Sequence, residues 1–235
     1  MHRLILALML VGLGCTPAQT PMPDRVTMTT TDGVEIVGSF VRNNDQKAAI
    51  LLHMMPADRT SWSSFAKALN GIGYASLAID ERGHGESTMN GTLNYKNFTD
   101  EQQQAKILDV EAALAYLEGE GFSKENIVVV GASIGANLAI EELTRHPELP
   151  IALALSPGLD YRGIKTDELV TKLQPSQKVI LVASDEDRES YKSILKLHEL
   201  NPTFTTLIER SGIGHGTDMI DADPSLLKDL IERLP

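Results

Sequence analysis

Gly131-Ala132-Ser133-Ile134-Gly135 sets a serine between glycines, directly after Ile127-Val128-Val129-Val130 and ahead of a helix-compatible run from Ile134 to His146. The β-branched residues read as a buried strand and the following run as a helix. A serine at such a strand–turn–helix junction stands clear of the sheet with its Oγ exposed, as nucleophilic attack requires. Glycine on either side lets backbone and helix approach closely and tolerates the dihedrals of so tight a turn. The helix behind Ser133 aims its first N–H groups at the site, which favours developing negative charge.

Strand, Gly-rich turn and helix also describe a dinucleotide-binding site, but that fingerprint needs glycine where the backbone touches pyrophosphate. Position 133 is serine, and the next strand ends near Leu155-Ser156 with no acidic residue at its tip to bind a ribose. The nucleotide reading is therefore set aside.

A hydroxyl is a weak nucleophile until a base takes its proton, so Ser133 calls for a histidine, and that histidine for an orienting carboxylate. Of the six histidines, His2 lies in the N-terminal leader, and His146 and His198 fall at predicted helix ends. His53, His84 and His215 remain, all in loops after strands. His215 sits in Gly212-Ile213-Gly214-His215-Gly216, where glycines let a loop carry an imidazole over the sheet edge. The acid should leave the strand before the last one. That strand ends in Ser184-Asp185-Glu186-Asp187, where Asp187 is the preferred acid, Asp185 the second and the more distant Asp160 the third. Other members of the cluster read as a solvated turn that caps the helix from Glu189.

The elements that must position these residues follow from periodicity. Val26–Thr31 and Val34–Val41 around Asp32-Gly33 read as an antiparallel hairpin. Buried strands are expected at 48–53, 75–80, 127–130, 151–155, 178–183 and 203–209. Helices are expected at 61–69, 99–118, 134–146, 166–173, 189–198 and 224–234. Alternating strands and helices, several strands continuously apolar, predict an α/β fold: a mostly parallel sheet covered by helices on both faces. Ligand sites in such sheets lie at strand carboxyl ends, which nominates the loops after His53, Asp80, Val130, Ala183 and Glu209.

At 235 residues the chain suits one domain, expected over 26–235. The formal charge of −11 leaves no basic stripe to neutralise phosphates, so nucleic acid is excluded as a partner. No H-E-x-x-H, paired cysteines or clustered ligand spacing points to a metal, and no cofactor motif is present. Met1-His2-Arg3 followed by apolar Leu4–Gly14 reads as a signal peptide over 1–14, with a proline-rich tether over 15–25. Cys15 is the sole cysteine and cannot form an internal disulfide. The segment resembles a bacterial lipoprotein signal, which implies lipidation of Cys15 and a membrane-anchored, exported protein. Gly12 stands where that pattern has leucine, and ordinary secretion is the alternative.

The order Ser133, Asp187, His215 resembles the nucleophile, acid and histidine of the α/β-hydrolase superfamily over about residues 26–235. Asp80-Glu81-Arg82-Gly83-His84-Gly85-Glu86-Ser87 is similar to that family's D-x-R-G-H-G-x-S loop. Ser184-x-x-Asp187 resembles its G-x-x-D acid turn, with serine replacing glycine. The resemblance implies a serine hydrolase acting on carboxylic esters, with His84 structural and an oxyanion hole from the N–H groups of Ile134 and Met54. His53 would brace the loop that carries Met54. Met54 stands where relatives have a small residue, so its side chain is expected to narrow the acyl pocket. About twenty residues separate Ser156 from Lys178, too few for a large cap. A small, open site follows. A binding protein on the same scaffold, or a peptide-bond hydrolase or acyltransferase sharing the triad, are the alternatives.

Overall fold

Continuously apolar runs become central strands, and alternating runs become edges. The computed structural model describes residues 22–43 and 46–235. The expected signal peptide, Cys15 and most of the tether lie outside the described residues. β1 (Asp24–Thr29) and β2 (Glu35–Val41) form the expected antiparallel hairpin. β3 (Ala48–Leu52), β4 (Ala75–Ile79), β5 (Ile127–Ala132), β6 (Ile151–Leu155), β9 (Lys178–Ser184) and β10 (Thr205–Arg210) complete an eight-stranded sheet in the order β1-β2-β4-β3-β5-β6-β9-β10. Only β2 runs against its neighbours; every pair from β4 through β3 to β10 is parallel. β3, β4, β5 and β6 are buried at every residue, whereas the edge strands β1 and β10 are partly exposed. Burial on both faces is what makes the inner strands read as unbroken apolar runs.

Helices α1 (Ser63–Gly71), α2 (Asp100–Gln104), α3 (Ile107–Gly119), α4 (Ile134–Arg145), α5 (Thr166–Val170), α6 (Arg188–Leu200), α7 (Asp218–Ala222) and α8 (Pro224–Ile231) cover the sheet. Strand side chains alternate between two cores. Ile50, Leu52, Val129 and Leu181 meet Val110, Leu114, Leu138, Leu143 and Ile194 on the side of α3, α4 and α6. Leu51, Val128, Val130 and Val182 meet Trp62, Phe65, Leu69, Leu226 and Leu230 beneath α1 and α8. Each fully buried aliphatic or aromatic side chain contributes about 1.5–3 kcal/mol, so the central strands are rigid mounts for the loops at their carboxyl ends.

Three departures from the sequence reading matter. The single helix expected over 99–118 is two, broken at Ala105-Lys106. Thr99 and Gln102 close a capping box on α2, and the break carries Lys106 into the interior. α7 lies in what read as loop, because five residues are too few to show a period. Between β6 and β9 the chain forms a small hairpin, β7 (Asp160–Tyr161) with β8 (Ile164–Lys165), followed by α5. Asn137 on α4 pins it, donating to the carbonyls of Gly158 and Ile164 and accepting from the Gly158 N–H at 2.9–3.0 Å.

Candidate active site

The turn between β5 and α4 holds Ser133 at φ 55°, ψ −121°, a conformation rare outside glycine. Such strain persists only where the surroundings over-determine it. Here the Ser133 N–H donates to Leu155 O at 2.8 Å, and its carbonyl accepts from the Ala136 N–H at 2.9 Å. The flanking glycines are steric necessities. A Cβ on Gly131 would lie 2.0 Å from Gly135 O, and one on Gly135 would lie 2.5 Å from Leu52 O. Among the described residues the N–H groups of Ile134 and Met54 donate to no acceptor; Ile134 follows the elbow serine and Met54 follows the carboxyl end of β3.

His215 and Asp187 meet as the sequence expects. His215 Nδ1 and Asp187 Oδ2 are 2.6 Å apart, and the short distance marks a charge-assisted contact. Burial pushes the Asp187 carboxyl upward, but contacts from His215, Ser190 and Ser156 outweigh it and hold the pKa below the ordinary value. Asp187 is therefore ionised at neutral pH. It occupies the N-cap position of α6 without capping it, since the side chain makes no bond to the helix N–H groups.

The other two members of the acidic cluster do not cap α6 either. Asp185 accepts from Ser211 Oγ at 2.7 Å and from the Gly212 N–H at 3.4 Å, and Glu186 accepts from the Gly214 N–H. They grip the backbone that carries His215. Asp160 accepts from the Gly163 N–H at 2.7 Å and stabilises the β7–β8 turn. It plays no part in this pair.

A sixth loop, after β6, contributes residues that sequence reasoning passed over. Ser156, buried and at φ 53°, accepts from the Gly216 N–H at 2.9 Å and so sets the residue after His215. The Tyr161 hydroxyl is 3.1 Å from Ser190 Oγ and also interacts with the Ser133 hydroxyl. Burial raises the pKa of this phenol, so it stays protonated. A serine at a strand's carboxyl end, before Pro157, was the available signal. The Met54 side chain lies against the histidine loop: a Cβ on Gly216 would lie 2.6 Å from its Sδ.

The loop after β4 braces the opposite flank. His53 Nε2 accepts from the Glu81 N–H at 3.1 Å while Nδ1 faces Met54 O at 2.9 Å, which ties the two loops together. His84 is locked between Ala57 O, at 3.1 Å from Nδ1, and the Lys106 ammonium, at 3.2 Å from Nε2, and it stacks on Tyr95. Burial, then the Lys106 charge, pushes its pKa down to about 3. His84 is thus a neutral strut. Lys106 pairs with Glu81 at 2.9 Å, both fully buried. Arg82 spans Asp109 at 2.8 Å and Asp32 at 2.7 Å. Asp80 receives the Arg59 and Glu86 N–H groups at 2.8 Å. Gly85 is obligatory, since a Cβ there would sit 2.1 Å from Asp80 Oδ2.

Known structures share this architecture. An esterase of Pyrococcus furiosus superposes with a TM-score of 0.74 at 21% identity, over 97% of this chain and 97% of that one. A dienelactone hydrolase of Anabaena variabilis gives 0.73 at 17% identity, over 91% and 97%. An esterase of Exiguobacterium antarcticum gives 0.70 at 11%, over 88% and 98%. At these identities the likeness is one of fold. No curated protein matches the sequence. Residues 44–189 match the Hydrolase_4 family, serine aminopeptidase S33, a span that holds the elbow and Asp187 but stops short of His215. Matched over more than half its length and built on the eight-stranded hydrolase sheet, the chain belongs to this family of α/β-hydrolases.

Proposed function

We propose that the protein is a serine hydrolase of carboxylic esters, with Ser133 as nucleophile, His215 as base and Asp187 as its orienting acid. The observation that carries the reading is the strained, half-buried serine on the β5–α4 elbow with the 2.6 Å Asp187–His215 pair on loops at the carboxyl ends of other strands of the same sheet. Asp187 accepts from Nδ1–H, which leaves Nε2 of His215 free to take the Ser133 proton as Oγ attacks the ester carbonyl. Negative charge then develops on the carbonyl oxygen, and the N–H groups of Ile134 and Met54, with the positive end of α4, are assigned to hold it. Collapse expels the alcohol with the proton from His215, and water hydrolyses the acyl-enzyme by the same route in reverse. The short hairpin and α5 in place of a large cap suit small or flexible acyl groups.

Ser133→Ala will abolish turnover of short-chain p-nitrophenyl esters and labelling by a fluorophosphonate while leaving the circular dichroism spectrum intact. Undiminished turnover by the variant rejects the reading, and a folded wild type that takes no label points to a binding protein. The description of the matched family favours one second reading, cleavage of an N-terminal peptide bond. Aminoacyl p-nitroanilides tested beside the esters separate the two.

A further inference from the structure

α4 begins at the nucleophile, and its far end carries a second cluster. Glu142 and His146 are four apart and share a face there, opposite Glu111 of α3. At ~1.5 Å per residue, Glu142 lies about 13 Å along the helix from Ser133. One ligand atom from each of the three residues falls within 4.8 Å of the others. His146 Nε2 is 3.0 Å from Glu111 Oε2 and 3.5 Å from Glu142 Oε1. Glu142 is fully buried, and neither of its carboxylate oxygens has a hydrogen-bond partner among the described residues. Buried carboxylates are ordinarily satisfied, and one left bare costs stability. The nearby cations hold the other two members of the cluster and make no hydrogen bond to Glu142. Arg145 holds Glu111 through the other oxygen at 2.8 Å, and Lys124 contacts His146 Nδ1 at 3.3 Å and Glu118 at 3.7 Å.

We propose that Glu111, Glu142 and His146 bind one divalent transition-metal ion of the zinc type, which fastens the end of α4 to α3. Metal–ligand bonds of 2.0–2.2 Å in a tetrahedron separate ligand atoms by about 3.4 Å; the two separations from His146 Nε2, 3.0 and 3.5 Å, bracket that value, and all three ligand atoms lie within 4.8 Å of one another. Burial pushes the Glu142 carboxyl up to about 8, so the ion displaces its proton to solvent, and the two carboxylates then balance the charge of the metal. An imidazole beside two carboxylates selects zinc over calcium or magnesium, which favour all-oxygen shells. Arg145 remains on the far oxygen of Glu111 as an outer-shell partner that orients the carboxylate. Nζ of Lys124 already reaches Glu118, so it can leave the imidazole when Nε2 takes the metal and the ring proton moves to Nδ1. The sequence hid the site because Glu111 sits on a different helix.

The test uses the full chain stripped with a chelator and titrated with zinc chloride against a chromophoric competitor. One equivalent is expected to bind and to raise the thermal midpoint, as any ligand of the native state does. Glu142→Gln and His146→Ala are each expected to weaken zinc at least tenfold while hydrolase activity persists. Should either variant fail to fold, cobalt in the wild type decides. Tetrahedral d–d bands without a thiolate charge-transfer band support the site, since Cys15 is the only thiol. Absence of binding at micromolar zinc, unchanged affinity in the folded variants, or a thiolate band overturns the proposal.

Discussion

Ser133 stands between two supports built on opposite principles. On the β4 side, the loop from Asp80 to Ser87 is held by charges removed from water: Glu81, Lys106, Asp80 and Asp109 are each wholly buried. On the β10 side, the histidine loop is held by carboxylates nearer the surface. Asp185 and Glu186 take backbone N–H groups, and Asp187 takes the imidazole. Buried pairs recover their desolvation cost only with good geometry and are severely disrupted when one partner goes. Exposed pairs contribute little individually and tolerate loss. The first support is rigid and stability-critical; the second leaves His215 half-open to the substrate it is proposed to serve.

The largest expected effect tests the division of labour in the acidic cluster. Asp187→Asn will lower kcat by roughly 10⁴, the order seen when a triad acid is amidated and the imidazole loses its tautomer. Steady-state kinetics on the ester substrate measures it, and a loss smaller than that of Asp185→Asn would assign the acid wrongly.

Breaking the buried support should act on stability instead. Lys106→Met strands the Glu81 carboxylate in the interior at a cost of about 3–5 kcal/mol, read from chemical denaturation. A change under 1 kcal/mol would mean that water reaches Glu81 and that the two supports differ less than their burial indicates.

Acidification should find the β4 side first. His84 has a folded pKa near 3 against an ordinary 6.5, so the unfolded chain binds the proton that the native state refuses. Its neutral form is fully compatible with folding above pH 6.5, and stability falls by up to a few kcal/mol as pH drops from there toward 3. Asp187 is shifted the other way for an acid, downward, so its ionised form stabilises the fold above the ordinary carboxylate pKa and is lost only below it. Between pH 7 and 4.5 the denaturation midpoint of the wild type should therefore fall relative to that of His84→Asn. Equal slopes in the two proteins would remove His84 from the account.

The smallest effect sharpens the comparison most. Asp185→Asn keeps an acceptor for Ser211 and Gly212, so it should cost only about 1 kcal/mol, seen as a modest shift in denaturation midpoint with kcat within severalfold of wild type.

Much of this protein was written locally. Glycine at 131 and 135 around a serine, an apolar run before and a helical run after, are short-range consequences of sterics and hydrophobic period. They make the elbow legible without knowing where any other strand lies. The pairing of Asp187 with His215 was also readable, because strand ends in a parallel sheet converge at one edge. What the sequence could not show depends on contacts between distant positions. Lys106 reads as one more polar residue on a helix until the break at Ala105 turns it onto Glu81 and His84. Asp185 and Glu186 read as helix caps until the β9–β10 register sets them beneath the histidine loop. Tyr161 and Ser156 carry no signature of their own. They join the site because β6 lies between β5 and β9, an order that burial on both faces of the sheet decides and no stretch of sequence spells out.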